Sequence, residues 1–162
     1  MNLLGYNLGI AYYWVSMVLL ILYIIVDALE DANQIKAYNE AMELVKSGTL
    51  NGYNVLRKMG AIDHSRSFIL RVLVCFIIAY NEFGIAWKLL PWMFWACSLY
   101  WFLFTVILNK LLGKAWFFVG TTAKTDKFIQ RLAEIWQVDA EKLMAAMMGI
   151  FLCIASLINM IF

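Results

Sequence analysis

Residues 89–108 read LLPWMFWACSLYWFLFTVIL, twenty positions without one charged side chain. As a helix, that stretch is about 30 Å long, the thickness of a bilayer's hydrocarbon core. Pro91 falls near its start, where a helix has no use for the backbone N–H that proline lacks. Trp92 and Trp95 gather at the same end, as aromatic residues do at a lipid–water interface. The rest of the composition agrees with a membrane setting. Of 162 residues, 64% are hydrophobic and 15% charged, against roughly 45–50% and 25% in soluble domains. The surplus predicts a lipid-facing surface.

The net charge of +2 is too small to point to nucleic acid. Cys75, Cys97 and Cys153 each lie inside an apolar run, with no CxxC pair and no zinc-like spacing. They are expected to act as small hydrophobes, and no cofactor is expected. The opening MNLLGYNLGIAYYW lacks a basic n-region and a small-residue cleavage site, which predicts that the first hydrophobic segment is retained.

The chain predicts an all-α, polytopic integral membrane protein with four transmembrane helices, at about 8–26, 68–87, 89–108 and 143–162. The first span has no charged neighbour until Asp27, Glu30 and Asp31, and no Pro or Gly falls between Ile10 and Gly48. Nothing therefore stops the helix at the membrane surface. It is expected to run on as a long cytoplasmic extension, a stalk with one apolar stripe at Ile35, Tyr38, Met42 and Val45. Lys36 and Glu40 face the other way, and Ser47-Gly48 supplies the stop. Tyr53, Leu56 and Met59 predict a helical turn or two on the headgroups.

Asp63 resembles an N-cap for the second span, which Arg71, Asn81 and Glu82 interrupt. Arg71 is expected to snorkel to the nearer surface. Gly113-Lys114 breaks the third span, and Trp116, Phe117 and Phe118 beside lysines predict an interfacial segment. Gly120-Thr121-Thr122 offers a cap for an amphipathic helix, 123–136, between helices 3 and 4. In the last span Ala145, Gly149 and Cys153 form a small-residue stripe of the kind along which membrane helices approach closely. The final span is expected to end at the membrane surface with no C-terminal domain beyond it.

Charge sets the orientation. Six of thirteen Lys and Arg lie in 27–71, six in 109–142, and only Lys88 elsewhere. With four spans the two basic regions, about 27–67 and 109–142, share one side, which the positive-inside rule makes cytoplasmic. Both termini are then expected on the non-cytoplasmic side.

Three sets of residues are candidates for chemistry. Asp27, Glu30 and Asp31 lie at i, i+3 and i+4 on one helix face. With His64 or Asp63 they are a candidate divalent-metal site, because hard cations want several carboxylate oxygens, and a solvated helix face is the plainer reading. Glu82, with Asn81, is an ionisable residue within a span, a functional candidate for an ion path or a partner helix. The plainer reading is a residue that draws in water or bonds to Asn81, Tyr12 or Tyr13. His64 forms a nucleophile–base site only if Ser65, Ser67 or another hydroxyl is brought to it and a third group orients it; an exposed residue in the first turn of a helix is the plainer reading. Gly120-Thr121-Thr122 with Lys124 lacks the spacing of a phosphate-binding Walker loop.

In residues 103–129, LFTVILNKLLGKAWFFVGTTAKTDKFI, the positions Asn109, Gly113, Trp116, Gly120, Lys124, Asp126 and Phe128 resemble small polytopic membrane proteins encoded by bacteriophages and mobile elements. His64 matches a histidine that some of those proteins carry ahead of their second span. The resemblance covers about a sixth of the chain and implies a setting, not a mechanism.

The first expectation is a non-enzymatic protein acting by helix association in a lipid bilayer: a membrane-organising protein, or a subunit or virion membrane component, with a second copy or another membrane subunit as partner. The stalk stripe requires such a partner, or the helix 123–136 of the same chain. The alternatives are a holin-like pore or small transporter using Glu82, and a membrane-embedded metal-dependent hydrolase using Asp27, Glu30, Asp31 and His64.

Overall fold

In the computed structural model, residues 3–48, 64–83, 87–120 and 124–161 are described, with side chains for 14–48, 69–80, 87–120 and 125–161. Among them the chain is all helical, with five α-helices. They are α1 (Leu3–Lys46), α2 (His64–Phe83), α3 (Leu89–Leu111), α4 (Lys124–Trp136) and α5 (Ala140–Ile161). The turn residues Tyr53, Leu56 and Met59, the cap Asp63 and the cap Thr121-Thr122 lie outside the described residues.

The uncharged stretch is the hub. α3 packs against α1, α2 and α5, α1 also touches α2, and α4 rests on α5. Trp92, Ala96 and Tyr100 form its buried edge, four residues apart, and meet Leu20 and Ile24 of α1 and Cys75 and Ala79 of α2. On α1 the buried positions Leu20, Ile24, Ala28 and Ala32 also recur every four residues. Small alanines at the far end of that row let the helices come close. α3 and α5 run antiparallel: Trp95 Nε1 donates to Ser156 Oγ at 3.1 Å, and the Trp101 ring meets Phe151 at 6.0 Å.

The helix ends follow local chemistry. α1 is continuous for 44 residues, about 66 Å at 1.5 Å per residue, and begins five residues before the expected start. It stops where Gly48 takes φ +78° and its N–H bonds to Val45 O at 3.0 Å. α3 outlasts the expected boundary by three residues and closes on Gly113, φ +69°, with Lys114 N bonded to Asn109 O at 2.9 Å. α2 ends at Phe83, not near Trp87; Trp87 and Lys88 form a turn, and Gly84 follows the helix in sequence. α5 starts at Ala140 because Asp139 caps it: its Oδ1 accepts from Lys142 N at 3.0 Å.

α3 and α5 are each long and apolar enough to cross a membrane; α2 holds a shorter apolar run, Ile69–Tyr80. The two longer helices thus meet the length and composition of a crossing, where four were expected. The expected first span, 8–26, lies partly outside the residues whose side chains are described.

Candidate functional site

Asp27 and Asp31 stand one helical turn apart on α1 and so share a face. Arg71, in the second turn of α2, sits opposite. Its Nε donates to Asp27 Oδ2 at 2.9 Å and its Nη2 to Asp31 Oδ2 at 2.7 Å. All three side chains are only 17% exposed. The flat guanidinium fork suits two acceptors at this spacing, which a lysine's single ammonium would not match.

α3 supplies the third wall. Tyr100 OH donates to the same Asp27 Oδ2. The Arg71 guanidinium carbon lies 4.2 Å from the Phe104 ring centroid, and Phe104 stacks on Tyr100 at 5.6 Å. Tyr23 of α1 closes the aromatic side at 6.0 Å from Tyr100. The cation therefore has two carboxylates at its edges and an aromatic face beneath it, an arrangement that offsets desolvation. By helical rise, Phe104 and Tyr100 stand about 10 and 16 Å from the Leu111 end of α3. The clamp is part-way along the hub helix and not at its tip.

This corrects two expectations. Arg71 does not snorkel away but turns inward onto α1. Asp27 and Asp31 are not a solvated face, since both are spoken for by Arg71. Glu30 points aside and accepts from Gln34 Nε2 at 3.3 Å. With Tyr23, Val26, Gln34 and Leu70, the three carboxylates line a cavity of about 210 Å³. Among the described residues no three His, Cys, Asp or Glu are grouped to hold a metal ion. His64 is the first residue of α2 and Asn81 and Glu82 lie in its last turn; their side chains are outside the described set, as are Tyr12 and Tyr13.

The two association candidates are placed as follows. On α5 the face turned into the chain is Leu143, Met144, Met148 and Ala155. The stripe Ala145, Gly149, Cys153 is not part of it: a Cβ on Gly149 would meet nothing within 4 Å, and Cys153 is exposed. On α1, Ile35, Met42 and Val45 are half-buried and Tyr38 is exposed, while the fully buried positions there are Ala32 and Ala41. The helix 123–136 is not the partner of that stripe among the described residues, where α4 packs on α5 and not on α1.

Tyr100 and Phe104 were missed by reading the sequence. A signal was present: Tyr100 is the one tyrosine of α3, and Arg71 the one arginine inside an apolar run. An isolated charge in such a run needs an opposite charge and a hydroxyl near it. Asn109 was noticed only through a resemblance, yet it is buried and pins the following loop, donating to Trp116 O at 3.1 Å and Phe118 O at 3.2 Å. Comparisons with protein-family models, curated proteins and solved structures each find no match to this chain.

Proposed function

We propose that the chain is a non-enzymatic, four-span integral membrane protein that works by helix association, as a membrane-organising component or a subunit of a larger membrane assembly. Its setting is a phage or mobile-element membrane. α1, α2, α3 and α5 are the spans, the two basic regions face the cytoplasm, and both termini face away from it.

The observation that carries the reading is the open space over Gly149. A small-residue row brings helix backbones together in lipid, where there is no hydrophobic drive between helices. Here the row lies on a helix long and apolar enough to span, with Ala145 and Gly149 half-buried, Cys153 exposed and open space over Gly149. A second helix fits that face. The metal-hydrolase alternative loses support, since Arg71 takes two of its three carboxylates.

Cys153 makes the test simple, being exposed at the end of the row while Cys75 is buried. Membranes carrying the full chain are oxidised with a membrane-permeant copper catalyst. The expected result is a Cys153-linked dimer, lost in Cys153→Ser and weakened in Gly149→Leu. A monomer throughout, together with a monomeric native mass in nanodiscs, would overturn self-association; a stoichiometric co-purifying membrane chain would then assign the row to another subunit.

A further inference from the structure

α4 has one broad apolar face, and the chain covers only part of it. Ile129 and Ala133 are buried against Leu143 and Met144 of α5. Phe128, Ile135 and Trp136 face outward at 58%, 65% and 59% exposure. Phe128 and Ile135 are seven residues apart, two helical turns, so they form one ridge. Arg131 lies three and four residues from them and flanks that ridge, with Lys127 one turn earlier on the same flank. Neither cation is paired with a carboxylate among the described residues.

The preceding loop has the same character. Trp116 is 58% exposed with the Lys110 ammonium 5.8 Å from its ring, and the Lys114 ammonium is 4.1 Å from the Phe118 ring. Both pieces are fixed in place. Asn109 ties down the loop, Gln130 Nε2 donates to Gly120 O at 2.9 Å, and α4 is fastened to α5.

Position decides what such a surface meets. α3 ends at Leu111 and α5 begins at Ala140, and the two run antiparallel. The described residues between them, 112–120 and α4, therefore lie at one end of the pair. Apolar ridges flanked by Lys and Arg, with tryptophan at the margin, match the boundary between acyl chains and headgroups. Anionic headgroups also complement the free cations.

We infer that α4 and the loop before it form an interfacial anchor that seats on an anionic phospholipid leaflet, Phe128, Ile135 and Trp136 entering the acyl boundary and Lys127 and Arg131 contacting the headgroups. The inference rests on reading α3 and α5 as crossings, and its test separates the two.

Full-length chains with single added cysteines are reconstituted, one copy per nanodisc, in phosphatidylcholine alone or with added phosphatidylglycerol. Reaction with a water-soluble maleimide is located by peptide mass. Phe128→Cys and Ile135→Cys are expected to react about tenfold more slowly than Glu134→Cys on the flank beside Lys127, when phosphatidylglycerol is present. Added Lys127→Gln and Arg131→Gln are expected to remove much of that protection.

Leu157→Cys on α5 reports the crossing itself and is expected to stay unreactive in every disc. If Leu157→Cys reacts freely, the crossing reading fails. If it is protected while Phe128→Cys and Ile135→Cys react as fast as Glu134→Cys, the anchor is overturned. Protection that ignores both the anionic lipid and the charge substitutions overturns the headgroup contact. Protection seen only in discs holding two copies assigns the ridge to a second copy and overturns the lipid assignment.

Discussion

Tyr100 and Arg71 converge on one oxygen: the phenol of α3 and the guanidinium of α2 both donate to Asp27 Oδ2 of α1. A single carboxylate thus joins three helices. Truncating Arg71 leaves Asp27 and Asp31 charged and unpaired, the case in which buried ion pairs matter most.

Arg71→Leu is accordingly expected to lower stability by about 3–5 kcal/mol, measured by steric trapping or by denaturation in mixed micelles. Combining Arg71→Leu with Asp27→Asn and Asp31→Asn removes the stranded charges. That triple variant is expected to regain most of the loss. If Arg71→Leu alone is as stable as wild type, the clamp is not a structural tie.

The α3–α5 contact gives a smaller effect. Ser156 Oγ accepts from Trp95 Nε1 at 3.1 Å and donates to Leu152 O at 2.8 Å. Removing the acceptor by Ser156→Ala is expected to cost about 0.6 kcal/mol, as side-chain hydrogen bonds between membrane helices average. A double-mutant cycle with Trp95→Phe should return a coupling of that size.

Asn109 is a different case, because its amide satisfies two backbone carbonyls from a buried position. Asn109→Leu strands Trp116 O and Phe118 O. A loss of about 1–3 kcal/mol is expected. Hydrogen exchange should show it locally, as faster exchange in residues 115–120 with α1 and α2 unchanged.

Three glycines should respond to alanine in three ways. At Gly113 the space is open but φ is +69°, so Gly113→Ala costs backbone strain of about 1–2 kcal/mol. At Gly120 an added Cβ would lie 2.5 Å from Asp126 Oδ2, so the carboxylate must move. At Gly149 neither obstacle exists, and Gly149→Ala is expected to stabilise the lone helix by up to about 1 kcal/mol. Thermal unfolding of the three variants in one detergent compares them directly.

What could be read from the sequence was what depends on neighbours along the chain. The charge-free run 89–108 marks the hub because few structures accommodate it, and Gly48 and Gly113 mark helix ends because both take positive φ. What could not be read depends on distant pairings. Asp27 and Arg71 are 44 positions apart, and no periodicity links them. On α5 the buried row Met144 and Met148 and the less buried row Ala145, Gly149 and Cys153 are alike in polarity, so hydrophobicity gives no preference for either face. The stalk stripe fails as a pattern for the same reason: Ala32 and Ala41 are buried more deeply than the larger side chains between them.

The unbroken course of α1 has a mechanical consequence. From Asp27 to Lys46 there is no Gly or Pro to act as a joint, and by helical rise the two are about 28 Å apart. The segment is one continuous helix that leaves the Arg71 clamp without a joint. A rotation of about ten degrees there would swing the Lys46 end through about 5 Å. Any small rearrangement of α2 against α1 inside the bundle would therefore be felt, enlarged, at the far end of the helix.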